Sequence, residues 1–199
     1  MKSNFHLKNR RVFTYSEYRE YVDQLLLQNK TTGVNQSEAL LEYTKMNVHR
    51  MKRWDKMAKL SPELSESLKQ SLPQTWIVLA EAWCGDAAQS LPWINIMALT
   101  GNIELVILLR DENLDIMDSY LTNGGRSIPK LVALSKTNKE LFNWGPRPNE
   151  VKLLFDKLKS EGLNHDDIIT SVHAWYAKDR GKSISEEFTK LITLEDVLV

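Results

Sequence analysis

The rhythm of hydrophobic and polar positions changes twice along the chain. Up to about residue 72 it is helical. Ser16 reads as the N-cap of a helix from Glu17 to Gln28, and Ser37 as the N-cap of a longer one reaching about Leu60, along which Leu40, Tyr43, Asn47, Met51, Trp54 and Ala58 recur at three-to-four spacing. Ser61-Pro62-Glu63 pairs an N-cap with proline at the first helical position and opens a short third helix. From Gln74 the texture becomes short apolar runs between helical stretches. TWIVLA, IELVILL, KLVAL and KELFNW have the length and β-branched content of strands, two of them continuous enough to be buried on both sheet faces. Helical patterns lie from Asp86 to about Thr100, with Pro92 inside, around Leu114 to Leu121 before Gly124-Gly125, and from Pro148 to Lys159. This order predicts an α/β sandwich with one parallel crossover and a final hairpin. Two further helices, Asp166 to Lys178 and Ser185 to Leu198, flank the turn Asp179-Arg180-Gly181-Lys182. A tail of about 35 residues buries little core alone, so it is expected to pack on the sandwich. The organisation predicted is a helical extension over 1–72, a core over 73–161 and a second helical extension over 162–199.

Charge and composition narrow the function classes. Lysine plus arginine equals aspartate plus glutamate, 26 each, so no net field draws in nucleic acid or an anionic membrane. The N-terminal stretch is basic but has no apolar run of signal-peptide length, and no stretch of about 18 uncharged apolar residues occurs. The expectation is a soluble cytoplasmic protein. His6, His49, His165 and His173 show no paired metal-ligand spacing, and the single cysteine cannot form an intrachain disulfide. No metal and no cofactor is expected, and neither a phosphate loop nor a Ser-His-Asp arrangement is recognisable.

That cysteine, Cys84, follows the apolar run TWIVLA and precedes a helical pattern. A thiol at a helix N-terminus faces unpaired N–H groups and the positive end of the dipole, both of which favour the thiolate. The alternative is a small buried hydrophobe.

The surroundings decide between these. Trp83-Cys84-Gly85 after a strand, with Pro92 eight positions beyond the cysteine, resembles the active-site helix of the thioredoxin family. Ser127-Ile128-Pro129-Lys130 at the head of KLVAL, 45 residues from Cys84 to Pro129, resembles that family's cis-proline loop, and Gly145, 16 residues after Pro129, falls where the family tends to carry glycine. The resemblance covers roughly Gln74 to Ser160, and the added helices are like those of a bacterial group of thioredoxin-family proteins. It implies a thioredoxin-like fold, a three-layer sandwich around a central mixed sheet with extra helices at both ends. It also implies Cys84 as the nucleophile, a cis Ile128-Pro129 bond beside it, and a substrate surface made of Trp83, Gly85, Asp86, Ala87, Ile128 and Pro129, where Ile128 backbone groups receive an extended peptide.

The departures from the family pattern matter as much. Ala87 stands where a dithiol oxidoreductase has its second cysteine, so a mixed disulfide on Cys84 needs an external thiol to release it. Val78 occupies a position where many thioredoxins place a buried aspartate. Asp86, two residues from Cys84, raises the thiol pKa by like-charge repulsion if it tunes the site, or simply starts the helix. The basic helix around Lys45 to Lys59 is a solvated face, or brings Arg50 or Arg53 to support a thiolate or a bound anion, or forms a protein-partner surface. Two functions follow: a monothiol redox protein whose partners are proteins or low-molecular-weight thiols and disulfides, or a binding module using the Cys84/Pro129 groove without turnover.

Overall fold

A computed structural model of the chain describes residues 7–195. The elements are α1 (Tyr15–Leu27), α2 (Glu38–Met57), α3 (Pro62–Gln70), β1 (Gln74–Ala80), α4 (Gly85–Thr100), β2 (Glu104–Leu109), a 3-10 turn (Arg110–Glu112), α5 (Leu114–Met117), β3 (Lys130–Ser135), β4 (Glu140–Trp144), α6 (Asn149–Ser160), α7 (His165–Asp179) and α8 (Lys182–Glu195). They form a four-stranded mixed sheet, ordered β2-β1-β3-β4, flanked by helices. β1 runs parallel to β2 and antiparallel to β3, which forms the hairpin with β4. This is the α/β sandwich that the apolar runs predict, in the thioredoxin-like arrangement with extra helices that the resemblance implies.

The continuous apolar runs become the interior strands for a simple reason. Trp76, Val78, Leu79, Leu131, Val132 and Ala133 are all wholly buried, so both faces of β1 and β3 are covered and neither face can be polar. The outer edge of β2 is covered by the chain entering α1, where Phe13 and Ile107 exchange N–H···O bonds of 3.0 and 2.8 Å. Most of the N-terminal helices join the same core through Tyr18, Val22, Met51, Trp54, Leu64 and Leu68.

The two C-terminal helices bury unequally. α8 sends Ile184, Phe188 and Ile192 into the main core, and the Phe188 ring lies 5.3 Å from Trp76 and 5.5 Å from Trp144 between centroids. By contrast, α7 shares a small separate cluster with α6, built on Val151, Ile168, Val172 and Tyr176. At about 25 cal/mol per Å2 of apolar surface, that cluster is the weaker anchor of the two.

Several boundaries differ from the sequence expectation. The cap of α1 is Thr14, not Ser16, because Thr14 and Glu17 form a reciprocal capping box. α2 stops at Met57, where Ala58 turns extended, three residues before Leu60. α5 ends at Met117, and a turn closed by reciprocal Thr122–Gly125 bonds of 2.9 Å takes up the rest of that segment. α8 begins at Lys182, ahead of Ser185, since the Asp179 carboxylate accepts the Ser183 N–H and hydroxyl. Its expected end at Leu198 lies outside the described residues.

Candidate functional site

Cys84 is the N-cap of α4, with its Sγ 3.5 Å from the Ala87 N–H. The helix end therefore does offer the thiol a donor. The Sγ–H in turn donates to the Ile128 carbonyl at 3.2 Å, and the residue is only 8% exposed. Burial, followed by the charge of Asp86, pushes the thiol up to about 12, against the Ala87 and Asp86 N–H groups and Arg147, which pull it down. Desolvation thus outweighs the helix-end effect that the sequence suggests, and Cys84 is a neutral thiol at physiological pH.

Asp86 does not face solvent as a simple helix-start residue. Its carboxylate, 11% exposed, accepts from Arg147 at 2.5 Å through Oδ2 and from the Tyr176 hydroxyl at 2.8 Å through Oδ1. Burial raises the Asp86 pKa, and the Arg147 charge is the leading influence in the other direction. Arg147 is placed by the turn after β4, where the Gly145-Pro146 peptide is cis, and its guanidinium lies 4.5 Å from the Phe155 ring centroid.

The second group around the thiol comes from α2 and α7. Asn47 of α2 donates to the Ala82 carbonyl at 2.8 Å, fixing the helix beside the residues that lead into Cys84, and accepts from Arg50 Nη1 at 2.7 Å. Arg50 is half-buried at the thiol, whereas Arg53 is exposed and stacks on Trp54, 4.9 Å from its ring. Only the first of the two arginines joins the site. From α7, His173 Nδ1 lies 3.2 Å from Gln89 Nε2, while Gln89 Oε1 accepts the Trp54 indole N–H at 2.6 Å. The indole can only donate, so the Gln89 amide group faces His173 and the His173 proton sits on Nε2. Burial, then the charges of Arg50 and Arg147, lowers the His173 pKa to about 4, so the ring is neutral. Gly85 is where the ring rests: a Cβ there would stand 2.8 Å from His173 Nε2 and 3.6 Å from Arg50 Nη1.

Between α2 and α7 these residues leave a cleft of about 250 Å3, with Cys84 and Gly85 at its base and Leu40, Tyr43, Ile169 and Val172 among its walls. Trp83 borders it, half-buried, with the Arg110 guanidinium 4.9 Å over its ring. Ile128 and Pro129 are buried behind the thiol, and their bond is cis. The Ile128 carbonyl is occupied by Cys84, and Pro129 O lies where a Cβ on Gly145 would be 2.2 Å away. Ala87 is buried within α4. Of the sequence-predicted surface, Trp83, Cys84, Gly85 and Asp86 face the cleft, and Ile128, Pro129 and Ala87 form the interior behind it.

Sequence reasoning did not find Arg147, Tyr176 or His173. It also passed over Glu81, a wholly buried acid whose Oε1 accepts the Asp111 N–H at 2.9 Å and whose pKa is raised chiefly by burial. Among the described residues no group of three or more His, Cys, Asp and Glu is arranged to hold a metal ion, and no helix is long and apolar enough to cross a membrane.

A mixed sheet with a thiol at the start of the helix after its first strand defines a thioredoxin-like protein with a single cysteine. The model of the family described as Thioredoxin matches residues 33–159, well over half the chain, and the chain belongs to that family. Among solved structures, a protein of unknown function from Pseudomonas aeruginosa is similar at 18% identity and TM-score 0.57, with 91% of this chain and 98% of that one covered. An HIV epitope-scaffold is similar at 17% identity and TM-score 0.55, with 86% and 96% covered. Both likenesses concern the fold alone. None of the curated proteins compared matches the chain.

Proposed function

We propose that this protein is a binding member of the thioredoxin family that takes up a ligand without turnover, in the cleft between α2 and α7 above Cys84. The observation that carries this reading is the state of the thiol. Cys84 is buried, neutral and hydrogen-bonded to the very carbonyl that a substrate peptide would need. A nucleophile must be a thiolate and must be reached, and neither condition is met while α7 lies over the site. The loss of a resolving thiol at Ala87 and of an acid at Val78 agrees with a protein that binds rather than exchanges.

One observation favours a second reading, a monothiol exchanger that works when α7 swings aside. The Ala87 N–H still points at Sγ, as a thiolate stabiliser would. In that event the Cys84 thiolate attacks one sulfur of a protein or low-molecular-weight disulfide, forming the mixed disulfide and expelling the other sulfur as thiolate. An external thiolate then attacks the mixed disulfide, takes the partner sulfur into a new disulfide and returns Cys84 as thiolate. A cytoplasmic location belongs to either proposal, since a chain with one cysteine has no need of an oxidising compartment, and a bacterial origin is proposed from the resemblance of the added helices alone.

The deciding experiment is the pH dependence of Cys84 alkylation by iodoacetamide in the native protein against the denatured one. The binding reading expects a native thiol slower than the unfolded thiol at every pH up to about 9. A native thiol that reacts fast and titrates well below about 8.5 replaces it with the exchange reading.

A further inference from the structure

The cleft has a charge balance that specifies more than its shape. Three charged side chains meet at the start of α4: Arg147 and Asp86, which neutralise each other at 2.5 Å, and Arg50. Asp86 is fully engaged, with Arg147 on one oxygen and Tyr176 on the other. Among the described residues Arg50 forms no ion pair; the side-chain acceptor it meets is the neutral Asn47 amide oxygen at 2.7 Å. Half-buried guanidinium groups are ordinarily met by carboxylate or phosphate, whose geometry matches the fork of N–H donors. Here one positive charge is left over, and it borders a cleft.

A second donor faces the same place. The chain from the Trp54 indole through Gln89 fixes the His173 proton on Nε2. His173 Nε2 and Arg50 Nη1 lie 2.8 and 3.6 Å from one point above the Gly85 Cα. The His173 ring itself packs on Gly85, so that point is not open to a ligand, but the packing brings the two donors close together where both border the cleft. Most of the remaining wall, Leu40, Tyr43, Trp83, Ile169 and Val172, is hydrocarbon or aromatic, and His165 also lines it. At about 250 Å3 the space is below the ~300–1,000 Å3 of pockets that take drug-sized ligands.

We infer that the cleft between α2 and α7 binds a small organic monocarboxylate, its carboxylate held by Arg50 and the His173 Nε2–H where both border the cleft and its short apolar body packed between Tyr43, Trp83 and Val172. A monoanion is specified over a phosphate for two reasons. One unit of positive charge is in excess, where a phosphate ester brings about −1.5 to −2 at neutral pH. The walls beyond the two donors are mostly hydrocarbon and aromatic carbon, which suits an apolar body better than a second anionic group, although the Tyr43 hydroxyl and the His165 ring are also among them. This inference rests on the binding reading above and assigns its ligand class.

The test is calorimetric titration of the full chain with benzoate, with benzamide as the neutral isostere, and with inorganic phosphate. Benzoate is expected to bind at least about tenfold more tightly than benzamide, the value of one hydrogen bond to a charged group. Arg50→Gln is expected to abolish that preference and Arg50→Lys to keep part of it. Benzamide binding as tightly as benzoate overturns the assignment of an anion and leaves the binding reading in place. Phosphate binding where benzoate does not overturns the monocarboxylate in the same way. A cleft that takes none of the three overturns the ligand class, and the alkylation experiment above decides the binding reading separately. Where Arg50→Gln does not fold, the comparison of benzoate with benzamide on the unaltered protein decides alone.

Discussion

The Tyr176 hydroxyl donates to the Asp86 carboxylate at 2.8 Å, joining residues 90 positions apart. Asp86 is two residues from Cys84, and Tyr176 is a buried member of α7, so this bond latches the C-terminal helix across the thiol. The latch is set against a small hydrophobic cluster that α7 shares with α6 rather than with the main core. Access to Cys84 is therefore governed by one polar junction of Asp86, Arg147 and Tyr176 together with that minor cluster.

Replacing Asp86 with alanine tests the junction. Both partners of the ion pair are less than a sixth exposed, so Arg147 would be left as an uncompensated buried charge, at a cost of about 3–5 kcal/mol. Urea unfolding of Asp86→Ala measures that loss. The same change removes the charge that helps hold the Cys84 thiol neutral and frees Tyr176, so native alkylation should become faster. Tyr176→Phe keeps the ion pair and should lose only about 1.5–3 kcal/mol while also speeding alkylation. If both variants lose stability and neither exposes the thiol, α7 is held by its contacts with α6 and the junction is not a latch.

Two groups with large pKa shifts set opposite ends of the pH dependence. His173 is pushed down to about 4 in the folded protein against about 6.5 when unfolded, so the unfolded chain binds the proton more readily. Stability from this group is complete above about 6.5 and is lost as pH falls towards 4. His173→Gln, which keeps an acceptor for Gln89, should flatten that part of the stability curve. Cys84 has the contrary sign: its pKa is raised from 9.0 to about 12, so its contribution is present below 9 and is lost as pH climbs from 9 to 12. Tyr15 and Tyr18 act in the same alkaline direction, so the comparison of Cys84→Ala with the parent isolates the thiol. Chemical denaturation at a series of pH values gives both slopes.

The sheet was legible in the sequence because β1 and β3 are covered on both faces and so read as unbroken apolar runs between polar turns. The same holds for α3, whose Ser61-Pro62 start is a local signal that acts on the next three residues. The position of Cys84 at a helix start was legible for the same reason. Its protonation was not, because the burial that raises its pKa comes from elements distant in sequence, among them the Ile128 loop that contacts its Sγ. Arg147, Tyr176 and His173 were invisible for a related reason: each lies on an ordinary turn or helix, and only the fold brings them to Asp86 and Gly85. A charged Asp86 opening an apolar helix was a signal that a cation must arrive from elsewhere, but nothing local chose Arg147 over the other cations. Arg50 and Arg53 are three positions apart on one helix, and the sequence cannot rank them. Packing of Arg53 on Trp54 and of Asn47 on the Ala82 carbonyl separates them.

Two glycines at the site should respond to alanine in different ways, because one meets backbone and the other a side chain. At Gly145, φ is +110° and a Cβ would lie 2.2 Å from the Pro129 carbonyl oxygen, so neither partner can yield without moving β3 from β4. Gly145→Ala should cost about 3 kcal/mol or more and lower expression. At Gly85 the obstacle is the His173 ring, 2.7 Å from the new Cβ, and a ring on a surface helix can shift. Alanine in place of glycine near a helix start regains at most about 1 kcal/mol of helix propensity, against about 1–3 kcal/mol for the overpacked ring. The overpacking is the larger effect, so Gly85→Ala should be destabilised by about 1–2 kcal/mol. It should also displace His173 from Gln89, which NMR reads as a changed His173 tautomer and a pKa that returns towards about 6.5. An unchanged His173 resonance with unchanged stability would mean that the cleft already has room at Gly85, and that His173 does not rest on it in solution.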